Sequence, residues 1–239
     1  MLDLTFENKT VLVTGATRGI GAAIALAFRN KGAKVIGTGT HKDATGVFDE
    51  YFQADFSDIE QISACADFIR RANLDVLINN AGINKNLPFV EIDPLEFKRI
   101  QQVNVIAPLM LCQAVIPYMK SKKWGRIVNI SSIWGKIGKE HRASYSASKF
   151  ALDGLTLSLA AEHAADGILA NCVAPGFTDT ELTQRMLGAE GVRQILTTVP
   201  IRRMANVEEI ANFVVWLGGP ENSYITGQNI AIDGGFSRV

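Results

Sequence analysis

Short apolar runs recur along the chain, each followed by a longer stretch in which apolar residues return every three or four positions. The runs are Thr10–Val13, Lys34–Thr38, Tyr51–Ala54, Asp75–Asn79, Arg126–Ser131, Leu169–Ala174 and Asn229–Ile232. A strand with one wet face alternates between apolar and polar; several of these do not, so they read as strands covered on both faces. Helical patterns fall at about 19–31, 57–72, 94–119, 145–165 and 207–217, with a shorter pair between 179 and 199. Strands alternating with helices specify a parallel sheet, so the fold class is α/β, in a single domain over residues 1–239.

Local chemistry marks several helix starts. Ser57 with Glu60, and Asn206 with Glu209, have the spacing of capping boxes, and Asp93 before Pro94 reads as an N-cap with proline in the first turn. Between the second and third strands, His41–Glu50 holds Asp43, Thr45 and Gly46, too short and too polar for a crossover helix. A loop or single turn is expected there.

The 24 basic and 24 acidic residues cancel and form no basic stripe, so a nucleic-acid partner is not expected. Cys65, Cys112 and Cys172 have no paired spacing and the three histidines are scattered, which argues against disulfides and a metal site and for a reducing, cytoplasmic setting. Met1–Thr10 lacks the design of a secretory signal. The uncharged run Gln101–Met119 nears membrane length, but its Gln101, Gln102, Asn104, Gln113 and two prolines read as a buried helix.

The first strand runs into Thr14-Gly15-Ala16-Thr17-Arg18-Gly19-Ile20-Gly21, and a helical pattern follows at once. Glycines there let a strand turn tightly, bring backbone close to a pyrophosphate and start a helix whose first amides face the anion. The spacing, glycine, three residues, glycine, one residue, glycine, departs from the commonest dinucleotide fingerprint, and a turn without a ligand is the plain alternative. The position where an acid usually meets a free ribose 2′-hydroxyl holds Gly39, followed by Thr40 and Lys42, while Arg18 sits inside the turn. A 2′-phosphate meets a cation and no carboxylate, so NADP is favoured over NAD.

Tyr145 and Lys149 share a helix face, where an ammonium lowers the pKa of a phenol and makes it a usable proton donor or acceptor. Tyr118 and Lys122 have the same spacing but lie among lysines at a helix end, which reads as structural. Ser132 distinguishes the first pair: it ends a strand, and ligands of open parallel sheets bind beyond strand carboxyl ends.

Taken with Asn79-Asn80-Ala81-Gly82, Asn104 and Pro175-Gly176, these residues resemble the short-chain dehydrogenase/reductase family over most of the chain. The resemblance implies a doubly wound, Rossmann-type sheet of order 3-2-1-4-5-6-7. It makes Tyr145 the acid and base for the substrate oxygen, with Ser132 polarising that oxygen. Lys149 binds the nicotinamide ribose and tunes Tyr145, and Asn104 holds a water of a proton relay. Cofactor contacts are implied at Gly15, Thr17, Arg18, Gly19, Ile20, Gly21 and Thr40, at Asp55 for adenine, at Asn80, Ala81 and Gly82 for the adenosine side, and at Pro175, Gly176 and Thr178, the last for the carboxamide.

Within the family the likeness is to NADPH-dependent 3-oxoacyl-acyl carrier protein reductases, through Lys34–Thr38, Ala174–Phe177 and Tyr224–Gly227. An acidic carrier partner is opposed by Asp166, which stands where a basic residue is wanted. The substrate is therefore a small carbonyl or alcohol: a 3-oxoacyl thioester, or a sugar, polyol or other secondary alcohol. A nucleotide-binding sensor without chemistry is the alternative of a different class. Substrate choice is expected to lie in 179–199 and in Ile133–Ser144, with Trp134 packing that wall. The helices at 101–119 and 145–165 have apolar outer sides, which predicts self-association, and the resemblance implies a homotetramer.

Overall fold

In a computed structural model, residues 5–42 and 45–238 are described. One parallel sheet takes strands from both ends of the chain: β1 (Thr10–Val13), β2 (Lys34–Gly39), β3 (Glu50–Gln53), β4 (Val76–Asn79), β5 (Gly125–Ile130), β6 (Ile168–Pro175) and β7 (Asn229–Ile232). Their order is 3-2-1-4-5-6-7. β1 is central, with Val11 paired to Val35 on one side and Val76 on the other. The chain reverses its winding there, so β1 and β4 open a crevice at their carboxyl ends.

β1 shows why the strands are apolar throughout. Val11 and Val13 face a layer built by Ile24 and Phe28 of α1 (Gly19–Arg29) and Val214 of α7 (Val207–Leu217). Leu12 points the other way, into a core with Ile62 of α2 (Ile59–Ala72) and Leu111 of α4 (Ala107–Lys122). Each fully buried side chain of this size contributes roughly 1.5–3 kcal/mol, so two full cores hold the sheet between its helices.

Most helix ends follow the sequence. Asp93 accepts from Leu95 N at 3.0 Å and starts α3 (Pro94–Gln101), and Glu209 accepts from Asn206 N at 2.8 Å at the start of α7. The cap of α2 is Asp58, not Ser57: Asp58 accepts from Glu60 N, while the Ser57 hydroxyl is turned back to Asp55 at 2.8 Å. The helical pair expected in 179–199 is α6 (Glu181–Thr198), broken at Gly188. No helix occupies the described residues between β2 and β3; Asp43 lies outside them.

The expected helix 94–119 is interrupted. Between α3 and α4, Gln102–Ile106 forms a π-helical turn in which Ala107 N bonds Gln102 O, five residues back. Pro108 has no N–H to offer, so the Asn104 carbonyl lacks the donor an α-helix supplies. The run Pro94–Lys122 has the length and hydropathy of a membrane span, yet half of its most apolar window is buried within the protein.

Candidate active site

The glycine turn follows β1. Gly15 and Gly19 have φ of 63° and 54°, open to glycine at little cost. A Cβ on Gly21 would lie 2.1 Å from Gly15 O, so the turn and α1 touch backbone to backbone. Neighbouring strands fasten it: Asn80 Nδ2 donates to Thr14 O (2.8 Å) and Gly15 O (3.2 Å), and Thr38 Oγ1 accepts from Gly15 N (3.3 Å). Arg18, at the N-cap of α1, makes no side-chain cap, which leaves the first amides of an 11-residue helix for an anion. This cradle, too tight for any side chain and edged by uncapped amides, fits a dinucleotide pyrophosphate.

Beyond the strand ends lies a cavity of about 450 Å³, lined by Arg18, Ile20, Asn80, Gly82, Ser132, Tyr145, Lys149, Pro175, Gly176 and Thr178. Ser132 follows β5 and its Oγ accepts from Trp134 N at 3.2 Å, which fixes the hydroxyl on the cavity wall it shares with Tyr145. Tyr145 and Lys149 lie on α5 (Ala143–His163), with Lys149 Nζ 5.5 Å from the Tyr145 ring centroid and donating to Ile130 O at 2.7 Å. Asn104, fully buried, exchanges bonds of 2.9 Å with Ile83 N and O and donates to Ser148 Oγ at 2.9 Å; Ser148 in turn bonds Tyr145 O. The π turn thus ties its asparagine to the helix that carries the tyrosine.

Burial raises the Tyr145 pKa, opposed by the Ser132 hydrogen bond and then by the charge of Arg142. Burial lowers Lys149 to about 8. Arg142 is thus a second cation beside Tyr145, in addition to the Lys149 ammonium 5.5 Å from its ring. Arg142 stands three residues before Tyr145 at the N-cap of α5, on the same face.

A family model described as Enoyl-(Acyl carrier protein) reductase matches residues 15–237. The chain is 38% identical to the 3-oxoacyl-acyl-carrier-protein reductase FabG of Escherichia coli (strain K12), over 99% of this chain and 100% of that one. The chain belongs to the short-chain dehydrogenase/reductase family. It is an oxidoreductase of that family.

Solved family members superpose closely. A short chain dehydrogenase/reductase family protein gives a TM-score of 0.92 at 33% identity, covering 99% of this chain and 100% of that one. A gluconate 5-dehydrogenase from Burkholderia cenocepacia J2315, in complex with NADP and tartrate, gives 0.91 at 27% identity, covering 98% and 97%.

In this short-chain dehydrogenase/reductase, the residues singled out from sequence do not all reach the cavity surface. Asn104 stands behind Gly82, where a Cβ would be 3.4 Å from its Oδ1. Asp55 is exposed and holds Ser57 N and Oγ at 2.9 and 2.8 Å. Thr40 is exposed beyond β2, and its carbonyl accepts from Gln53 Nε2 at 3.1 Å. Trp134 packs edge-on to Phe177 and Phe236, at centroid distances of 6.2 and 6.0 Å. Three contributors were missed: Thr14 and Thr38, which brace the glycine turn, and Arg142. α6 reaches the cavity through Thr183 and Leu187.

Proposed function

We propose that this protein transfers hydride between NADPH and the carbonyl carbon of a small ketone, with Tyr145 as the proton donor. The observation that carries it is the meeting of Tyr145, Ser132 and Lys149 in one cavity beside the glycine cradle. When bound, NADPH supplies the hydride. Ser132 holds the carbonyl oxygen, the Tyr145 hydroxyl gives that oxygen its proton, and the product is the alcohol. Lys149 would hold the nicotinamide ribose, and the Asn104 carbonyl would hold the water that returns a proton to the phenolate. Stereospecific hydride transfer from NADPH to a panel of ketones, followed by loss of its absorbance, tests the reading.

The preference for the phosphorylated cofactor rests on Gly39 and Arg18. Gly39→Asp brings a carboxylate to the ribose; its Cβ lies 2.9 Å from Thr17 Cγ2 and Tyr51 Oη, side-chain atoms that can move aside. The ratio of kcat/KM for NADPH over NADH is expected to fall about tenfold or more. A ratio unchanged in steady-state assays would overturn the assignment.

For the ketone, the curated relatives favour a 3-oxoacyl thioester. The objection from Asp166 is weakened, because Lys120 (3.0 Å), Lys123 (3.1 Å) and His163 (3.4 Å) surround it and hold its carboxyl at about 2. The second class, a sugar, polyol or other secondary alcohol, is supported by the solved neighbour named as a gluconate 5-dehydrogenase.

We further infer a homo-oligomer, a tetramer by family likeness. Leu109 and Ile116 of α4 and Leu155 and Leu159 of α5 line a groove of about 250 Å³, flanked by exposed Phe150 and Leu157. An apolar strip on two adjacent helices suits the same strip on a second copy around a two-fold axis. Leu155→Glu with Leu159→Glu is expected to yield the 25.9 kDa monomer in light scattering, against a multiple of that mass for the parent protein. A parent protein already monomeric at micromolar concentration would defeat the inference.

A further inference from the structure

The charges of the cavity are unbalanced. Among the described residues that line it there is no carboxylate, while Arg18, Arg99, Arg142 and Lys149 all contribute. Three of these have evident employment. Arg99 is claimed by Glu96, through Nε at 3.1 Å and Nη2 at 2.8 Å. Lys149 donates to Ile130 O, and Arg18 stands at the glycine turn beside the start of α1.

Arg142 is different. It is half-buried, and burial pulls its pKa down, with Tyr145 the one charge partner that opposes this. Its side-chain hydrogen bond goes to a neutral acceptor, Asn86 Oδ1, which leaves most of its five N–H groups unused. The guanidinium carbon lies 5.9 Å from the Trp134 ring centroid, so the indole wall next to Ser132 holds it from one side. From the other side the chain is latched: Leu87 N donates to His141 O at 3.3 Å, and His141 has the left-handed φ of 62° that presents Arg142 inward. Partly burying a guanidinium without a counter-ion costs stability, and the shell that does so lies against the reacting tyrosine.

Two further polar atoms of the cavity lining have no partner among the described residues. Asn84 Oδ1 and Ser131 Oγ are buried and unbonded, and both residues line the cavity. Buried acceptors and hydroxyls of this kind are ordinarily satisfied, so they are suited to a ligand that brings hydroxyl groups.

We propose that Arg142 is the anchor for a carboxylate of the substrate, so that the ketone or alcohol turned over is a hydroxylated or oxo acid rather than an uncharged chain. The planar fork of Arg142 takes such a group in two parallel bonds, and Asn84 and Ser131 take up hydroxyls along the chain between the acid and the reacting carbon. The inference rests on the ketone-reductase reading of the site, but its recognition step is measurable without turnover.

The experiment is calorimetric titration of the NADP-loaded protein with small hydroxy acids, gluconate among them, each beside its methyl ester. The best acid is expected to bind about tenfold to a hundredfold more tightly than its ester, the range of a charge-assisted bond. Arg142→Gln is expected to erase that difference, with NADP affinity within about twofold, and Arg142→Lys to keep part of it. Asn86→Ala, which removes the neutral acceptor but leaves the cation, is expected to retain the preference. Acid and ester bound alike, or a preference that survives in Arg142→Gln, would overturn the assignment. Carboxylate preference without any hydride transfer would support the anchor and refute the proposed reaction, so the two readings fail separately.

Discussion

Tyr145→Phe is expected to lower kcat by roughly 10²–10⁴, the usual worth of a positioned general acid, while NADPH binding stays within a few fold. The ring persists, so the wall shared with Ser132 and Lys149 keeps its shape and only the donated proton is lost. Steady-state assays combined with fluorescence titration by NADPH separate the two quantities. Tyr118→Phe supplies the contrast, since Tyr118 sits with Lys122 (Nζ 5.6 Å from its ring centroid) at the far end of α4. If the Tyr118 variant lost activity and the Tyr145 variant kept it, the chemistry would belong to the other pair.

Gly21→Ala is expected to fail in a different way. The new methyl would meet Gly15 O at 2.1 Å and Asn80 Nδ2 at 2.5 Å; the first is backbone and cannot swing aside. Overpacking of this kind costs about 1–3 kcal/mol, and α1 has to retreat from the turn, carrying its free amides away from the anion. Both the denaturation midpoint and the affinity for NADPH should therefore drop. Gly138→Ala is the matched control, because a Cβ there meets nothing within 4 Å. A Gly21→Ala protein that bound NADPH normally would remove the argument for a backbone-tight cradle.

Much of this was legible in the residues. The sheet could be read because its central strands are apolar on both faces, as Val11, Leu12 and Val13 show by entering two different cores. The glycine turn could be read because Gly21 and Gly15 serve a local geometry that no other residue allows. Arg142 could not. Its role depends on Asn86 and Leu87, more than 50 residues upstream, and on a left-handed His141, neither of which has a local signature. The π turn was hidden for another reason: an apolar pattern with one extra residue still scans as a continuous helix over 94–119. The shift of the α2 cap by one position, from Ser57 to Asp58, reflects competition between two good capping residues, settled when Asp55 engaged the serine.

The π turn carries a consequence for how this chain can vary. One additional residue rotates everything on one side of it by about 100° relative to the other, so the helical stretch 94–122 is out of phase with itself. α4 keeps Leu111 and Val115 in the core, and the offset lets Asn104 face Ser148 instead of following that apolar stripe. Removing a single residue from 102–106 would turn α3 and Asn104 by about 100° relative to α4 and take the Asn104 amide away from Ser148. For this segment a change of length, more than a change of side chain, is what separates a protein that folds from one that also holds its tyrosine and asparagine in a single network.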